Sequence, residues 1–337
     1  MSINIIVTGA AGFIGSFLCK KLLDMDSINR VIGFDNLNDY YDVNIKFDRL
    51  SMIQDADVND KFIFIEGDIS NEISVNDMFK RFMPSIVVNL AAQAGVRYSI
   101  ENPRVYVESN LVGFFNILEA CRHNPVNHLV YASSSSVYGV NKKVPYSIGD
   151  KVDNPISFYA ATKKSNELMA HAYSKLYGIP CTGLRFFTVY GPMGRPDMAY
   201  FKFTDKMVHN QPIQIYNMGD MQRDFTYIDD IVEGIVNVMS KVPALTMDGA
   251  PYKIYNIGNN KPESLMVFVE ILERVLMEEG VIDRTTEHEL LPMQPGDVYQ
   301  TYADISELEQ DFGFKPRTKL EDGLREFARW YKRYYQL

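Results

Sequence analysis

The sequence is poor in the residue types that build metal sites, disulfide frameworks and nucleic-acid-binding surfaces. Its 337 residues include three cysteines and five histidines, without a Cys-x-x-Cys pair or a histidine ligand spacing. Cys19, Cys121 and Cys181 lie far apart, so we expect reduced, buried thiols and no metal site. Acidic residues outnumber basic ones by 43 to 34 and no basic cluster offsets the net charge of −9, which argues against a nucleic-acid partner.

A long apolar segment of the kind that crosses a membrane is also missing. Residues 2–19 are partly apolar, but Asn4, Thr8 and three glycines interrupt them, and the basic start of a signal peptide is lacking. No targeting or membrane-spanning segment is predicted, and we expect a cytoplasmic location. The chain does have 46% hydrophobic residues, enough for a sizeable core.

The hydrophobic residues form short runs that alternate with helical patterns. Strands are predicted at residues 3–7, 31–34, 62–65, 86–90, 128–132, 181–186, 213–216 and 254–257. Helices are predicted at residues 13–23, 75–82, 105–122, 159–177, 229–239, 264–277 and 320–335. This alternation predicts an α/β fold, a Rossmann-type doubly wound parallel sheet with a smaller C-terminal lobe.

The pattern also suggests where the two parts divide. Residues 1–189, with a return segment at about 225–260, are expected to form the Rossmann domain. The smaller lobe is expected to comprise residues 190–224 and 261–337. The aromatic stripe near the C-terminus, with Trp330, Tyr331 and Tyr334, is interpreted as core packing.

A glycine-rich motif follows the first predicted strand and opens the first predicted helix. It reads Gly9-Ala10-Ala11-Gly12-Phe13-Ile14-Gly15. Glycines allow a tight turn and close approach of a pyrophosphate to the helix N-terminus, where free N–H groups point. Asp35 ends the second strand, 20 residues after Gly15. A carboxylate there accepts hydrogen bonds from the ribose hydroxyls and repels a 2′-phosphate, so NAD is favoured over NADP.

Tyr159 and Lys163 are the predicted centre of the chemistry. They stand four residues apart on a predicted helix and therefore share one face. A neighbouring ammonium favours the phenolate, which can take a proton from a substrate hydroxyl while the carbon that bears it gives a hydride to NAD. Ser134 ends a strand upstream, where side chains face the cofactor crevice, and is expected to share the reacting proton.

These motifs resemble the extended short-chain dehydrogenase/reductase family, whose glycine spacing is also G-x-x-G-x-x-G. Further stretches resemble its nucleotide-sugar epimerase branch, most closely the enzymes that act on UDP-glucuronate. They are residues 92–98 (AQAGVRY), 186–192 (FFTVYGP), 195–199 (RPDMA), 219–227 (GDMQRDFTY) and 295–298 (PGDV). The resemblance implies redox-neutral 4-epimerisation through a 4-keto intermediate, with a UDP-sugar as substrate and NAD as cofactor.

The resemblance also assigns further residues. In the cofactor channel it places Phe13, Ile14, Asp68, Ile69, Ala91, Asn110 and Ser133. Around the UDP-sugar it places Ser134, Thr188 and Arg195, with Arg223 on the diphosphate, Asp297 on the uridine ribose, and Gln214 and Tyr216 beside the uracil. The helices at residues 105–122 and 159–177 resemble those that form a dimer interface in the family, so a homodimer is expected.

Arg195 bears most on the identity of the sugar. The 4-keto form of glucuronate is a β-keto acid that loses CO2 readily, and a guanidinium fork is expected to hold its carboxylate in a geometry that resists this loss. Ser135 and Ser136 stand where related dehydratases carry an Asp-Glu pair and decarboxylases usually a Glu. The alternatives that stay open are a UDP-glucose or UDP-N-acetylhexosamine 4-epimerase, a UDP-glucuronate decarboxylase and a non-catalytic NAD-binding sensor.

Overall fold

The computed structural model describes residues 3–294 and 296–337; Pro295, part of one stretch quoted above, lies outside them. The described strands are β1 (Ile3–Thr8), β2 (Ile28–Asp35), β3 (Phe62–Glu66), β4 (Ile86–Asn89), β5 (His128–Ser134), β6 (Cys181–Phe186), β7 (Thr188–Tyr190), β8 (Ile213–Tyr216), β9 (Gln222–Tyr227), β10 (Tyr252–Ile257), β11 (Pro262–Ser264) and β12 (His288–Leu291).

The described helices follow the same chain order. They are α1 (Phe13–Leu23), α2 (Asn44–Ala56), α3 (Glu72–Phe82), α4 (Tyr98–Glu101), α5 (Pro103–Tyr106), α6 (Gly113–His123), α7 (Phe158–Tyr177), α8 (Ala199–Val208), α9 (Ile228–Met239), α10 (Leu265–Glu278), α11 (Ser306–Phe312) and α12 (Leu320–Tyr335). A π-helical segment, Val107–Val112, joins α5 to α6.

The main sheet has the doubly wound topology that the sequence predicts. Among the described residues it contains seven strands in the order β10-β6-β5-β4-β1-β2-β3. All neighbouring pairs are parallel. The order reverses between β1 and β4, where the crossovers leave to opposite sides. Ligands bind at such a switch point, beyond the carboxyl ends of the strands.

The sheet is buried on both faces because helices cover each side. Ile5 and Val7 of β1 pack into one hydrophobic cluster, and Ile6, between them, packs into the other. All three are fully buried, which explains the continuous apolar run, since side chains alternate across a strand and both faces here are covered.

The C-terminal part adds two smaller sheets, β11-β9-β7 and β12-β8, with α10 and α12 beside them. On α12, Phe327 and Tyr331 are buried and pack against Phe201 of α8, with ring centroids 5.8 and 5.5 Å apart. The interpretation of the aromatic stripe as core is confirmed. The predicted return segment contains α9 and β10, and β10 pairs with β6; the domain boundaries themselves stay a prediction.

The structure corrects several expected elements. The helix predicted at 105–122 begins at Pro103 and contains the π-helical segment before α6. Helices α2, α4, α8 and α11 and the short strands β7, β9, β11 and β12 were not predicted. The three cysteines are free and buried, as expected. Among the described residues, no helix is long and apolar enough to cross a membrane.

Candidate active site

A first cavity of about 260 Å³ opens at the switch point, beyond the ends of β1 and β4. Its wall includes the glycine motif, the end of β2 and the start of α7. The predicted cofactor residues that line it are Gly9, Gly12, Phe13, Ile14, Gly15, Asp35, Asp68, Ile69, Ala91, Ser133, Tyr159 and Lys163. The sequence-based set therefore comes together in one place.

The glycine loop is a cradle that side chains would fill. Gly9 adopts φ +71°, a conformation that favours glycine. A Cβ on Gly15 would lie 2.0 Å from the carbonyl oxygen of Gly9, so the first turn of α1 packs directly on the loop. The open backbone leaves the N-terminus of α1 facing the cavity, a geometry that suits a pyrophosphate.

Asp35 ends β2 with its carboxylate held by backbone donors. The amides of Ala11 and Leu37 donate to it at 3.1 and 2.9 Å. Burial raises its pKa, and the Lys46 ammonium and these amides oppose the shift. Lys46, on α2, lines the same cavity and donates to the carbonyl of Asn38 at 2.6 Å. The cradle and this carboxylate fit the pyrophosphate and ribose of NAD.

Two predicted cofactor residues have their polar groups engaged within the protein. Asn110 is buried behind the cavity wall, where its amide group donates to the carbonyl of Gln93 and to the hydroxyl of Thr162, both at 3.0 Å. The hydroxyl of Ser133 donates to Glu167 at 2.7 Å. Asn110 therefore holds the channel backbone at Gln93, and Ser133 ties the end of β5 to Glu167 of α7.

Tyr159 and Ser134 lie where the first cavity meets a second. This second cavity, of about 480 Å³, is lined by every predicted substrate residue: Ser134, Thr188, Arg195, Gln214, Tyr216, Arg223 and Asp297. Tyr159, Ser134 and Arg195 border both cavities. A cofactor in the first and a sugar in the second would meet at these three side chains.

The electrostatics of Tyr159 differ from the sequence expectation. Burial raises the pKa of the phenol, whereas its hydrogen bond with Ser134 and the positive charge of Arg195 lower it. Lys163 donates instead to the carbonyl oxygen of Ala132 at 2.9 Å, and burial lowers the pKa of its ammonium to about 8. The groups that act on the phenol here are therefore Ser134 and Arg195.

The Arg195 guanidinium lines the second cavity but is already hydrogen-bonded to a carboxylate. Its Nε and Nη2 donate to the two carboxylate oxygens of Asp197 at 3.0 and 2.5 Å. The Tyr40 hydroxyl donates to the same carboxylate at 3.3 Å. Tyr40 and Asp197 were not singled out from the sequence, although Asp197 stands in a quoted motif. The Tyr40 contact joins residues 157 positions apart, and no local pattern predicts it.

The end of the second cavity that is predicted to hold the nucleotide also differs in detail. Arg223, predicted to bind the diphosphate, donates to the carbonyl oxygens of Gln222, Tyr299 and Val298 at 2.8 to 3.0 Å. Asp297 accepts from Arg97 at 2.8 Å. The Arg97 guanidinium, 4.4 Å from the ring centre of Tyr216, is a cavity-lining cation that sequence reasoning missed.

A second missed residue, Arg49 on α2, is fully buried. Its guanidinium donates to the carbonyl of Ala11 at 3.1 Å, in the glycine loop. It also donates to the carbonyls of Met193 and Gly194 at 2.7 and 3.2 Å, directly before Arg195. One side chain thus ties the dinucleotide loop to the loop that carries Arg195. Among the described residues, no cluster of three or more His, Cys, Asp or Glu side chains is arranged to hold a metal ion.

Comparison with known proteins places this arrangement in context. The model of the NAD dependent epimerase/dehydratase family matches residues 5–258. The chain is similar to Protein CapI of Staphylococcus aureus, with 52% identity over 99% of both chains. It is also similar to a probable UDP-glucuronate 4-epimerase of Rhizobium meliloti, with 43% identity over 98% of this chain and 97% of that protein.

A solved structure is similar over the whole length. It is the UDP-glucuronic acid 4-epimerase of Bacillus cereus in complex with UDP-glucuronic acid and NAD. The TM-score is 0.88 with 33% identity, covering 99% of this chain and 100% of that one. The glycine cradle, the parallel sheet and these matches agree, and the chain therefore belongs to the NAD dependent epimerase/dehydratase family.

Proposed function

We infer that this protein is an isomerase that interconverts UDP-glucuronate and UDP-galacturonate at C4, with NAD as its cofactor. Relatives named for this activity are similar over nearly the full chain. The observation that carries the inference is the junction of the two cavities, where Tyr159, Ser134 and Arg195 all lie. Oxidation at C4 needs a base beside the 4-hydroxyl, and recognition of a uronic acid needs a cation for its carboxylate.

In the proposed mechanism Tyr159 takes the proton of the sugar 4-hydroxyl and later returns it. Bound NAD supplies the acceptance and return of the hydride at C4. The Ser134 hydroxyl stabilises the phenolate by a hydrogen bond, and Arg195 stabilises it by charge. Lys163, anchored on the carbonyl of Ala132, lies on the cofactor side of Tyr159. We propose that it binds the nicotinamide ribose. Inversion requires the 4-keto sugar to turn in the second cavity before reduction.

Arg195 supports the choice of a uronic acid. The substrate carboxylate sits on C5, next to the carbon that is oxidised, so the cation that holds it must lie close to the base. Arg195 meets this requirement, because its charge acts on Tyr159. Thr188 lines the same cavity and is proposed to help hold the sugar-diphosphate.

We propose that two arginines serve the nucleotide in different ways, one by direct contact and one by holding the backbone around it. Arg97 is partly exposed and faces Tyr216 and Asp297, while Arg223 braces the backbone at residues 298–299. Asp297 is proposed to bind the uridine ribose, and Gln214 and Tyr216 to border the uracil. When the substrate binds, Arg97 gives up part of its contact with Asp297 and binds the diphosphate instead.

Incubation of the purified protein with UDP-glucuronate tests the function. UDP-galacturonate as the product, without net change in the cofactor, is the expected result. A UDP-pentose with release of CO2 would identify a decarboxylase. Turnover of UDP-glucose or a UDP-N-acetylhexosamine alone would identify an epimerase of neutral sugars. NAD binding without turnover of any of them would identify a sensor.

We further propose a homodimer and a cytoplasmic location. Apolar side chains are exposed along adjoining helices α6 and α7, notably Phe115, Leu168 and Leu176, and such a patch favours association. Light scattering should give twice the chain mass, and Leu168→Glu should reduce it. Three free, buried thiols suit a reducing compartment, which cell fractionation checks.

A further inference from the structure

The guanidinium of Arg195 has more donors than Asp197 can use. Five N–H groups project from a guanidinium in a fixed plane. Asp197 accepts from Nε and Nη2, so it occupies one edge of the fork. Nη1 and the second hydrogen of Nη2 remain on the other edge. Arg195 and Asp197 both line the second cavity, so the orientation of this second edge decides what Arg195 can bind there.

Asp197 is itself held in place. The Tyr40 hydroxyl donates to its Oδ2, and the Tyr40 ring packs on that of Tyr98, with centroids 4.8 Å apart. Although burial alone raises it, the Arg195 guanidinium and the Tyr40 hydroxyl hold the pKa of Asp197 below its usual value. Asp197 therefore stays ionised, and the contacts run in series from Tyr40 through Asp197 to Arg195.

We propose that Asp197, held by Tyr40, is the positioning residue that turns the free edge of the Arg195 guanidinium toward a carboxylate on C5 of the sugar. This inference rests on the proposed function. The Asp197 carboxylate offsets part of the Arg195 charge, so charge alone attracts the sugar carboxylate less than an unpaired guanidinium would. Paired N–H donors in the right direction then supply the selectivity. A neutral hexose has no group that uses this edge, so its binding is independent of Asp197.

The same geometry protects the 4-keto intermediate. If the carboxylate turns so that the C5–C6 bond aligns with the carbonyl system, that bond breaks and CO2 leaves. Its electron pair forms the enolate of the C4 ketone, which takes a proton at C5 to give a UDP-4-keto-pentose. The two electrons removed from C4 then stay on the cofactor as NADH. A loosened Arg195 therefore produces CO2 and NADH in equal amounts.

The test compares Asp197→Asn and Tyr40→Phe with the wild-type protein. The amide that Asp197→Asn introduces keeps one acceptor oxygen, but its NH2 group opposes Nη2 of Arg195 and tilts the fork. The matched control is Asp60→Asn, which removes the carboxylate of an exposed pair with Arg30. Calorimetric titration measures the Kd of UDP-glucuronate and of UDP-glucose. Carboxyl-labelled UDP-glucuronate measures the share of turnovers that release CO2.

We expect Asp197→Asn to weaken UDP-glucuronate binding by about tenfold, the effect of one charge-assisted contact, and to leave UDP-glucose binding unchanged. The CO2 share should rise above the wild-type value. Tyr40→Phe should act in the same direction more weakly, and Asp60→Asn should match the wild type. Equal weakening of both ligands, tighter binding of UDP-glucuronate, or an unchanged CO2 share would overturn the proposal. If the wild type makes no UDP-galacturonate, the proposed function fails instead.

Discussion

Glu167 and Arg185 form a buried bidentate ion pair next to the segment that carries Ser134. Nε and Nη2 of Arg185 donate to the two carboxylate oxygens of Glu167 at 2.8 and 2.9 Å, and the side chains are 1–2% exposed. Glu167 lies on α7 two turns after Tyr159 and also accepts from Ser133, the neighbour of Ser134. The pair thus ties β6 to α7, and the Ser133 contact adds the end of β5.

Removing one partner of this pair should destabilise the protein strongly. Glu167→Gln leaves the Arg185 charge without its counterion in the core, so the free energy of unfolding should fall by about 3–5 kcal/mol in urea titrations. Glu108→Gln, which breaks an exposed pair with Arg104, should change it by less than about 1 kcal/mol. The double variant Glu167→Leu/Arg185→Met should recover part of the loss; equal effects of Glu167→Gln and Glu108→Gln would contradict this account.

Tyr159→Phe should abolish most turnover without loss of the cofactor. The variant keeps the ring but lacks the hydroxyl that is proposed to take the sugar proton, so kcat should fall by about 10²–10⁴-fold. NAD released from denatured protein should match the wild-type amount. Unchanged turnover would end the assignment of Tyr159 as the base.

Ser134→Ala should shift the pH dependence of kcat/KM toward higher pH. The Ser134 hydrogen bond lowers the pKa of Tyr159 against the raising effect of burial. Without it the pKa of the phenol rises, so the limb of the profile on which activity increases with pH moves in the alkaline direction. Ser136→Ala removes a hydroxyl that contacts Ser134 at 3.1 Å and should shift this limb less. An acidic shift for Ser134→Ala would refute the role of its hydrogen bond.

Lys163→Met should inactivate the protein while stabilising its fold. Burial lowers the Lys163 pKa from 10.5 to about 8, which corresponds to a cost of roughly 3 kcal/mol for the charged form. Because the folded-state pKa is the lower one, this cost is fully present below pH 8 and disappears as pH rises through the unfolded-state value. With NAD removed from both proteins, the stability gain should be largest near pH 7 and shrink toward about pH 10; a gain independent of pH would count against it.

Gly15→Ala should impair NAD binding through the loop backbone. The added Cβ would lie 2.0 Å from the Gly9 carbonyl oxygen, so the loop must move. Gly149→Ala adds the same methyl group where no other atom lies within 4 Å and serves as the control. Fluorescence titration should show weaker NAD binding for the first variant alone, and equal affinities would argue against a cradle at Gly15.

The sequence predicted the parts of the site that depend on local order. The glycine motif, Asp35 and the spacing of Tyr159 and Lys163 are each set by one strand–helix junction, where pattern and geometry are tightly linked. Helix α2 was missed because Lys46 and Arg49 occupy its buried face beside Ile45 and Ile53, which hides the apolar periodicity.

The contacts that differ from expectation are mostly nonlocal or electrostatic. No spacing rule places the Tyr40 hydroxyl on Asp197 or the Arg223 guanidinium on backbone carbonyls of residues 298–299. The charge acting on Tyr159 could not be read from a helical i, i+4 rule either, because the Lys163 side chain turns to the end of β5. The partner that each of these polar groups takes depends on packing and on competition among hydrogen-bond acceptors.

The buried guanidinium of Arg49 has an implication for altering this scaffold. Its donors are shared between the carbonyl of Ala11 and those of Met193 and Gly194, so the segment before Arg195 is shaped from a distant helix. Replacing residues 191–197 with the counterpart of another enzyme would leave this side chain facing foreign carbonyls. The sugar preference proposed for Arg195 therefore depends on α2 as well, and a transplanted loop should function only when that helix is transferred with it.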